Sequence, residues 1–558
     1  YRSVYASPHL PTSVSISQYL EEYNPNNIES QKVIFEDDWT GKRLTYSDLR
    51  DESAKGAFGL RKLLSVEEEG VVCICAPNSV NVVLLIHAIL RCGGTAVLIN
   101  PLNTSHKIAH CLNISRPQLR AADSSTWLAM LSAVQNSAMK ELKALSIDTY
   151  HCPVNSFNPL EVFYSPSYAN ISRSISFPEL FSQTHKLPAL NLSNRGSRDC
   201  TAVVCFNLGT TGKPKGVELS HYNIVASMAG IRSTDPTFWN GNIRGVFFAP
   251  LCHICVALMG AWLGYYTMLM KQYSLKGLLK LSAQIEANAL QILTSIAVAM
   301  TKDHGFDLSS LRKVKFIMCS GAILLPKIIE FLHKSFSSAP IFQGYGMTET
   351  NISTLRPEEA HMVGSVDRLF ANVEARIVDD DMNDGECGKE GEMLIRGPSI
   401  FRRYMNDPVA TQQAFHDGWM RTGDILRIAK NGFLYLTERK KELIKYKGID
   451  DLAPAELENI LNSHPQVKES AVCAAWDEAQ GTEIPIAYVV LTDTGKSPTR
   501  DVEDTLAAIK DYIDTKVSPY KRLRGGVVAI EEIPETRSGK ILRRLLPARM
   551  ARERHSKL

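Results

Sequence analysis

The stretch Gly70-Val71-Val72-Cys73-Ile74-Cys75-Ala76, with Val80 to Cys92 and Gly94 to Ile99 behind it, sets the fold class. Its first and last runs have strand length and the middle run has helix length, so the order is β, α, β. That rhythm belongs to a parallel sheet, and an α/β architecture follows. Outward from this unit, Asn155 to Asn194 is rich in Ser, Asn and Pro with little periodicity and reads as a long surface connection. It leads into Thr201 to Phe206, another strand-like run. Leu251 to Met270 is apolar except for His253 and Thr267. Its glycines and aromatics, with no basic cluster beside it, favour a buried helix over a membrane span.

Beyond Glu386 the texture shifts to short strands and turns, as in Gly391 to Gly397, which predicts a smaller β-rich module. Thr437-Glu438-Arg439-Lys440-Lys441-Glu442 reads as a solvated charged run between structured pieces. After it, Pro454 opens a helix with Glu456 and Glu458 in its first turn. Strands at Ala471 to Ala475, Ile486 to Leu491 and Gly526 to Ile530, with a helix from Val502 to Val517, complete a compact α+β unit.

The 558 residues are too many for one hydrophobic core, so two or more domains are expected. A formal charge of +3, from 62 basic and 59 acidic residues, gives no global field to attract nucleic acid or a membrane surface. Any anionic ligand must be held locally. The 12 cysteines lie mostly in apolar runs and read as buried thiols of a reducing compartment. Cys252 and Cys255 form a C-x-x-C without a second pair at zinc spacing, which argues against a metal site. Tyr1-Arg2-Ser3 lacks the apolar region of a secretory signal. Ser556-Lys557-Leu558 is the tripeptide that an import receptor reads at a free C-terminus, and it points to the peroxisome.

The densest motif is Asn207-Leu208-Gly209-Thr210-Thr211-Gly212-Lys213-Pro214-Lys215-Gly216. Its glycines let backbone amides turn toward a phosphate, its hydroxyls add donors and Lys215 adds charge. The nucleotide-binding P-loop pattern is excluded, because Asn207 stands where that pattern needs glycine and Pro214 follows Lys213. Gln343-Gly344-Tyr345-Gly346-Met347-Thr348-Glu349-Thr350 joins small residues to a carboxylate suited to magnesium. Gly418 to Asp424 ends in an acid able to accept both hydroxyls of a ribose.

With Pro534-Glu535-Thr536-Arg537-Ser538-Gly539-Lys540-Ile541, these motifs resemble the adenylate-forming superfamily of acyl-CoA synthetases, 4-coumarate:CoA ligases, firefly luciferases and peptide-synthetase adenylation domains. The resemblance runs roughly from Thr40 to Leu545, with the motifs in the family's order. It implies a large N-terminal domain with a β-rich subdomain over residues 1–437, a hinge at 438–441 that includes Lys441, and a small mobile α+β domain over 442–558.

It further implies an ATP-dependent acid–thiol ligase that makes an acyl-AMP and transfers the acyl group to CoA. Gly209, Thr210, Thr211, Gly212, Lys215 and Asn207 would hold ATP phosphates, Glu349 a magnesium ion, and Gly344, Tyr345 and Thr348 the nucleotide. Asp424 would take the ribose with Arg439 in support, Lys445 would contact the adenylate, and Lys540 would be the catalytic lysine. Lys271, Lys447 and Gly448 would meet CoA. The acyl pocket would be walled by His253, Ile254, Gly321, Ala322, Gly346 and Met347; it holds no Arg or Lys, so a neutral aromatic or medium-chain acid is expected. His253 is read either as a core histidine or as a group that gates or orients the substrate.

Two departures stand out. Leu208 brings no side-chain donor to the phosphate loop, and Ile449-Asp450-Asp451-Leu452-Ala453-Pro454 is one residue longer than the family's segment and acidic. Two other readings stay open, a luciferase-like oxygenase and a non-catalytic binding protein.

Overall fold

The computed structural model describes residues 1–135, 142–147, 171–208, 214–252, 256–302, 306–320, 324, 326–336, 339–351, 353–354, 356–360, 362, 364–446, 450–477, 482–492, 502–517, 521–535 and 541–548. The unit read first is the centre of the molecule. Strand Val71–Cys75 pairs in parallel with Thr95–Leu98, with Val72 opposite Ala96. The helix between them, Val80–Arg91, starts where the Ser79 hydroxyl accepts the Val82 amide at 3.1 Å. All of Val80 to Leu90 is buried, so this is a core helix and not an amphipathic surface one. Each fully buried aliphatic side chain there contributes roughly 1.5–3 kcal/mol of transfer free energy.

That pair sits within an eight-stranded sheet in the order Arg403–Tyr404, Pro214–Ser220, Thr201–Leu208, Thr95–Leu98, Val71–Cys75, Leu119–Ala122, Leu142–Ser146, Ile171–Ser176. Its strands run parallel from Thr201–Leu208 to Ile171–Ser176 and antiparallel at the other edge. A second sheet joins Arg244–Phe247, Tyr266–Leu269 and Val33–Asp37 in parallel, with Arg43–Thr45 antiparallel. A third, parallel sheet holds Ala289–Leu293, Phe316–Ser320 and Ile341–Gln343. One apolar core runs from helix Ile16–Glu22 through the central sheet to the β-rich module, and a separate one lies under the third sheet.

The β-rich module begins earlier than its texture suggested. Glu374–Val378, Glu390–Arg396 and Trp419–Ile428 form its antiparallel centre, with Phe415–His416 and Leu434–Arg439 both against Trp419–Ile428. Past residue 443 the side chains enter new cores, built on the hairpin Val467–Asp477 with Thr482–Leu491, the parallel strand Val527–Ala529 and the helices Pro454–Leu461 and Val502–Asp514. Pro454 occupies the first turn of its helix, where a missing amide costs nothing.

Three expectations need correction. Within Asn155 to Asn194, Ile171–Ser176 is a sheet strand and Phe177–Phe181 a helix that buries Phe177, Leu180 and Phe181. The reason is a close approach: a Cβ on Gly59 would overlap the Leu180 carbonyl oxygen, so helix Tyr46–Leu64 packs directly onto this segment. Leu251 to Met270 is not one helix. A π-helical turn, Val256–Gly260, runs into Ala261–Leu263; Gly264 at φ +71° ends the helix, and Tyr266–Leu269 is a strand. The His87 ring donates to the Ala257 carbonyl at 2.9 Å, and burial holds its pKa at about 4, so it is neutral and can satisfy that turn. Finally, the charged run is not merely solvated: Leu434–Arg439 is a strand, and Arg439, Lys440 and Glu442 are ion-paired. Among the described residues, eight cysteines are buried, Cys252 is half-buried and Cys387 is exposed.

Candidate active site

The hairpin of Thr201–Leu208 and Pro214–Ser220 sets Asn207 directly opposite Lys215 at the carboxyl end of a parallel strand, where open α/β sheets hold their ligands. Strand Arg403–Tyr404 pairs on the outer side of Pro214–Ser220 and lays the Tyr404 ring beneath Lys215, with Nζ 4.8 Å from the centroid. Glu349 arrives from a different sheet, beyond strand Ile341–Gln343, and the Phe401 amide donates to its backbone carbonyl at 2.9 Å. Its carboxylate, almost entirely buried, accepts from the Tyr404 hydroxyl at 2.7 Å and from the Asn207 amide nitrogen.

Burial raises the Glu349 pKa, opposed by the Tyr404 hydrogen bond and by the charges of Arg439 and Lys215, and the net direction is upward. The Asn207 side-chain carbonyl, Oδ1, is buried with no hydrogen-bond partner among the described residues. A carboxylate and an unpaired amide oxygen beside a lysine form an oxygen set that suits a hard cation carried by a phosphate ligand.

A second cluster forms beside it. Strand Trp419–Ile428 alternates half-buried and buried positions, and Asp424 falls on the buried side, in register with Arg439. The guanidinium Nε lies 3.1 Å from one Asp424 oxygen, and the Tyr345 hydroxyl donates to the other at 2.7 Å. Burial and the adjacent Asp424 raise the Tyr345 phenol far above its ordinary range, so it stays a donor. Burial pulls Arg439 down, while Asp424, Glu442, Tyr345 and Glu349 pull it up, with a net upward direction. Arg439 thus acts electrostatically on both carboxylates. The Gly344 amide extends the third sheet by donating to Cys319, and a Cβ on Gly344 would meet nothing closer than that carbonyl at 4.0 Å. The glycine leaves open space beside the cluster.

Asn207, Lys215 and Glu349 therefore converge, as do Tyr345, Asp424 and Arg439, and Gly346 and Met347 follow in a short hairpin with Thr350 and Asn351. Thr348 lies in its turn. Lys271 stands elsewhere, at the end of strand Tyr266–Leu269, with its ammonium 5.4 Å from the Trp39 ring. Lys441 is in the turn Lys440–Glu442, and Lys445 lies on strand Ile444–Tyr446 opposite Asp451. The longer acidic segment is thus a β-hairpin arm, Asp450–Leu452. Gly209, Thr210, Thr211, Gly212, His253, Ile254, Gly321, Ala322, Lys447, Gly448, Lys540 and Ser556 to Leu558 lie outside the described residues. Tyr404 escaped the sequence reading, since nothing in Phe401-Arg402-Arg403-Tyr404 marks a ligand contact before the edge strand is seen to pair.

Among the described residues no helix is long and apolar enough to cross a membrane. No group of three or more His, Cys, Asp and Glu side chains able to hold a metal occurs among them. Similarity to known proteins agrees with this architecture. A protein from Arabidopsis thaliana described as 4-coumarate–CoA ligase-like 9 is 31% identical over 91% of this chain and 85% of its own length. Peroxisomal OPC-8:0-CoA ligase 1 of the same plant is 31% identical over 92% of this chain and 90% of its own.

Among solved structures, ATP-bound MatB from Rhodopseudomonas palustris superposes with a TM-score of 0.80 at 21% identity, covering 95% of this chain and 98% of that one. A benzoate CoA ligase from Burkholderia xenovorans LB400 does so with a TM-score of 0.77 at 20% identity, covering 95% and 99%. These two share the fold. The models of the AMP-binding enzyme and of the AMP-binding enzyme C-terminal domain match residues 24–405 and 456–540, a span that includes Asn207, Lys215, Glu349 and Tyr404, and the chain belongs to the AMP-binding enzyme family.

Proposed function

We propose that the chain is an AMP-forming acyl-CoA synthetase, activating a neutral aromatic or medium-chain carboxylic acid as its acyl-adenylate and then forming the CoA thioester. The observation that carries this reading is the convergence, from separate sheets, of Glu349, Asn207 and Lys215 on one side and Asp424 with Arg439 on the other. One group is equipped for the phosphates of a nucleotide and the other for its ribose. The names of two relatives at 31% identity, one a 4-coumarate–CoA ligase-like protein and the other a CoA ligase, support the reaction class.

Glu349 and the unpaired Oδ1 of Asn207 would hold magnesium, which when bound offsets charge on the phosphates. Lys215 adds fixed positive charge there, and Lys540 adds it from the C-terminal side as the acid oxygen attacks the α-phosphorus and pyrophosphate leaves. Gly209, Thr210, Thr211 and Gly212 cradle the phosphates with backbone amides, which makes the missing hydroxyl at Leu208 tolerable. Thr348 touches the same phosphates, and Lys445 the adenylate. Gly344, Tyr345, Gly346 and Met347 line the nucleotide and acyl group, with His253, Ile254, Gly321 and Ala322 closing an apolar pocket around the tail.

Water would destroy the mixed anhydride, so the second step needs a closed site and a late-entering thiol. Residues 442–558 form a small domain that turns about 438–441 against residues 1–437, bringing Lys447 and Gly448 to the pantetheine arm while Lys271 holds the nucleotide end of CoA. Ser556-Lys557-Leu558, together with the peroxisomal name of one relative, supports residence in the peroxisome.

The test is a panel of carboxylic acids with ATP and magnesium, scored for pyrophosphate and AMP with and without CoA. AMP and thioester from a neutral acid support the reading. Failure of every acid to convert ATP to AMP would sink it, and light or oxygen uptake without CoA would assign a luciferase-like oxygenase instead.

A further inference from the structure

The turn Lys440–Glu442 carries two oppositely directed anchors on either side of one residue. Lys440 Nζ lies 3.0 Å from Glu392 Oε2 and 2.7 Å from Asp380 Oδ1, both in the β-rich module of the large body. Glu392 is held from its other side by Arg421, whose Nε and Nη2 donate to the two carboxylate oxygens at 3.0 and 2.7 Å. With 1% of its side chain exposed, this carboxylate is no surface charge. Two residues on, Glu442 pairs with Arg543 of the C-terminal unit. Arg543 also donates to both oxygens of Glu458, at 2.9 and 2.8 Å, and through Nε to the Val472 carbonyl at 3.0 Å. Its side chain is 12% exposed, and Glu458 in turn accepts the Val472 amide at 2.7 Å.

Exposed ion pairs are worth little, because water competes and long side chains lose entropy. These two differ, since each ends on a nearly buried group that other partners, Arg421 on Glu392 and Glu458 on Arg543, already hold in place, so the anchor is ordered before Lys440 or Glu442 reaches it. Residue 440 is therefore fastened to the large body and residue 442 to the small one. Between them the planar peptides leave only ψ of residue 440, φ and ψ of residue 441 and φ of residue 442 free to turn, and residue 441 is the one whose own torsions both lie between the anchors.

We propose that Lys440 and Glu442 are positioning residues that confine the rotation of the small domain to the backbone at Lys441, so that Lys540 is delivered along one arc instead of by a loose tether. The proposal rests on the acyl-CoA synthetase reading for its consequence in turnover, while its structural content does not depend on any substrate.

The experiment uses the full chain with Lys440→Met, Lys440→Arg, Glu442→Gln and the wild type. Three quantities are read: amide hydrogen exchange across residues 439–443 without ligand, equilibrium binding of ATP, and kcat for the acid that serves best. Lys440→Met and Glu442→Gln should each raise exchange in that segment by about fivefold or more, since the local opening loses a tether. They should lower kcat by about tenfold while leaving ATP affinity within about twofold, because the nucleotide is held by the large body. Lys440→Arg keeps the charge and should stay within about twofold of wild type in all three. Unchanged exchange in both neutral variants, or an equal loss in Lys440→Arg and Lys440→Met, overturns the proposal. A wild-type chain that never makes AMP overturns the enzymatic reading alone, because the exchange result stands without it.

Discussion

The Tyr404 hydroxyl donates a 2.7 Å hydrogen bond to Oε1 of Glu349, and the same phenol ring lies 4.8 Å beneath the ammonium of Lys215. One side chain on a two-residue edge strand thereby orients both the buried carboxylate and the cation expected to face a triphosphate. Tyr404→Phe keeps the ring and removes only the donor. A hydrogen bond to a charged group contributes about 1.5–3 kcal/mol, so adenylation should fall by roughly one to two orders of magnitude, with more magnesium needed for half-maximal rate. ATP–pyrophosphate exchange titrated with magnesium checks this; a wild-type magnesium requirement in the variant would remove Tyr404 from the site.

Asp424 is held between Tyr345 and Arg439, and the ribose role predicts a specific signature. Wild-type enzyme should prefer ATP over 2′-deoxy-ATP, and Asp424→Ala should lose that preference as well as affinity. Removing one member of a buried charge pair costs about 2–5 kcal/mol. Competition binding of the two nucleotides to both proteins measures the ratio, and a preference that survives in the variant would reassign the acid to a structural role.

Asp367 bears on stability and not on catalysis. Burial first, then the neighbouring Glu359, pushes its carboxyl pKa up to about 8, and it sits at φ +70° where Asp and Asn are tolerated. An unfolded Asp titrates near 3.9, so between about pH 4 and pH 8 the folded chain keeps a proton that the unfolded chain has released. Stability from this group is therefore lost as pH rises through that window. Asp367→Asn carries no such proton, and its Tm relative to wild type should climb from pH 5 to pH 8. Thermal melts at several pH values decide it, and a constant difference would contradict the linkage.

The role proposed for Lys540 predicts that Lys540→Ala cuts adenylation by about three orders of magnitude, as expected when a contact made only in the transition state is removed, with the melting temperature unchanged. Normal pyrophosphate release by this variant would refute the assignment.

Residue order alone specifies the rhythm of the elements and the character of their local motifs. Apolar runs of strand and helix length place Val71–Cys75, Val80–Arg91 and Thr95–Leu98 without any knowledge of partners, because burial on all sides demands unbroken apolar runs. Asn207, Lys215, Glu349 and Asp424 are candidates on their own residues, since a phosphate loop, a lone carboxylate among glycines and an acid after a tight turn each carry a short-range signal, whereas Arg439 enters only through the family resemblance, its charged run reading by itself as solvated.

Where periodicity was weak, the reading failed. Phe177–Phe181 looked like connection until it was seen packed where Gly59 leaves room, and Leu251 to Met270 looked like one helix because hydrophobicity alone does not separate a buried turn from a buried strand. That Tyr404 meets Glu349, that Asp424 faces Arg439 in register, and that Lys440 and Glu442 are tied to different bodies emerges from packing alone. Those pairings join residues brought close by sheet order and chain reversal, and the energy that selects them is gained between surfaces which no single segment contains.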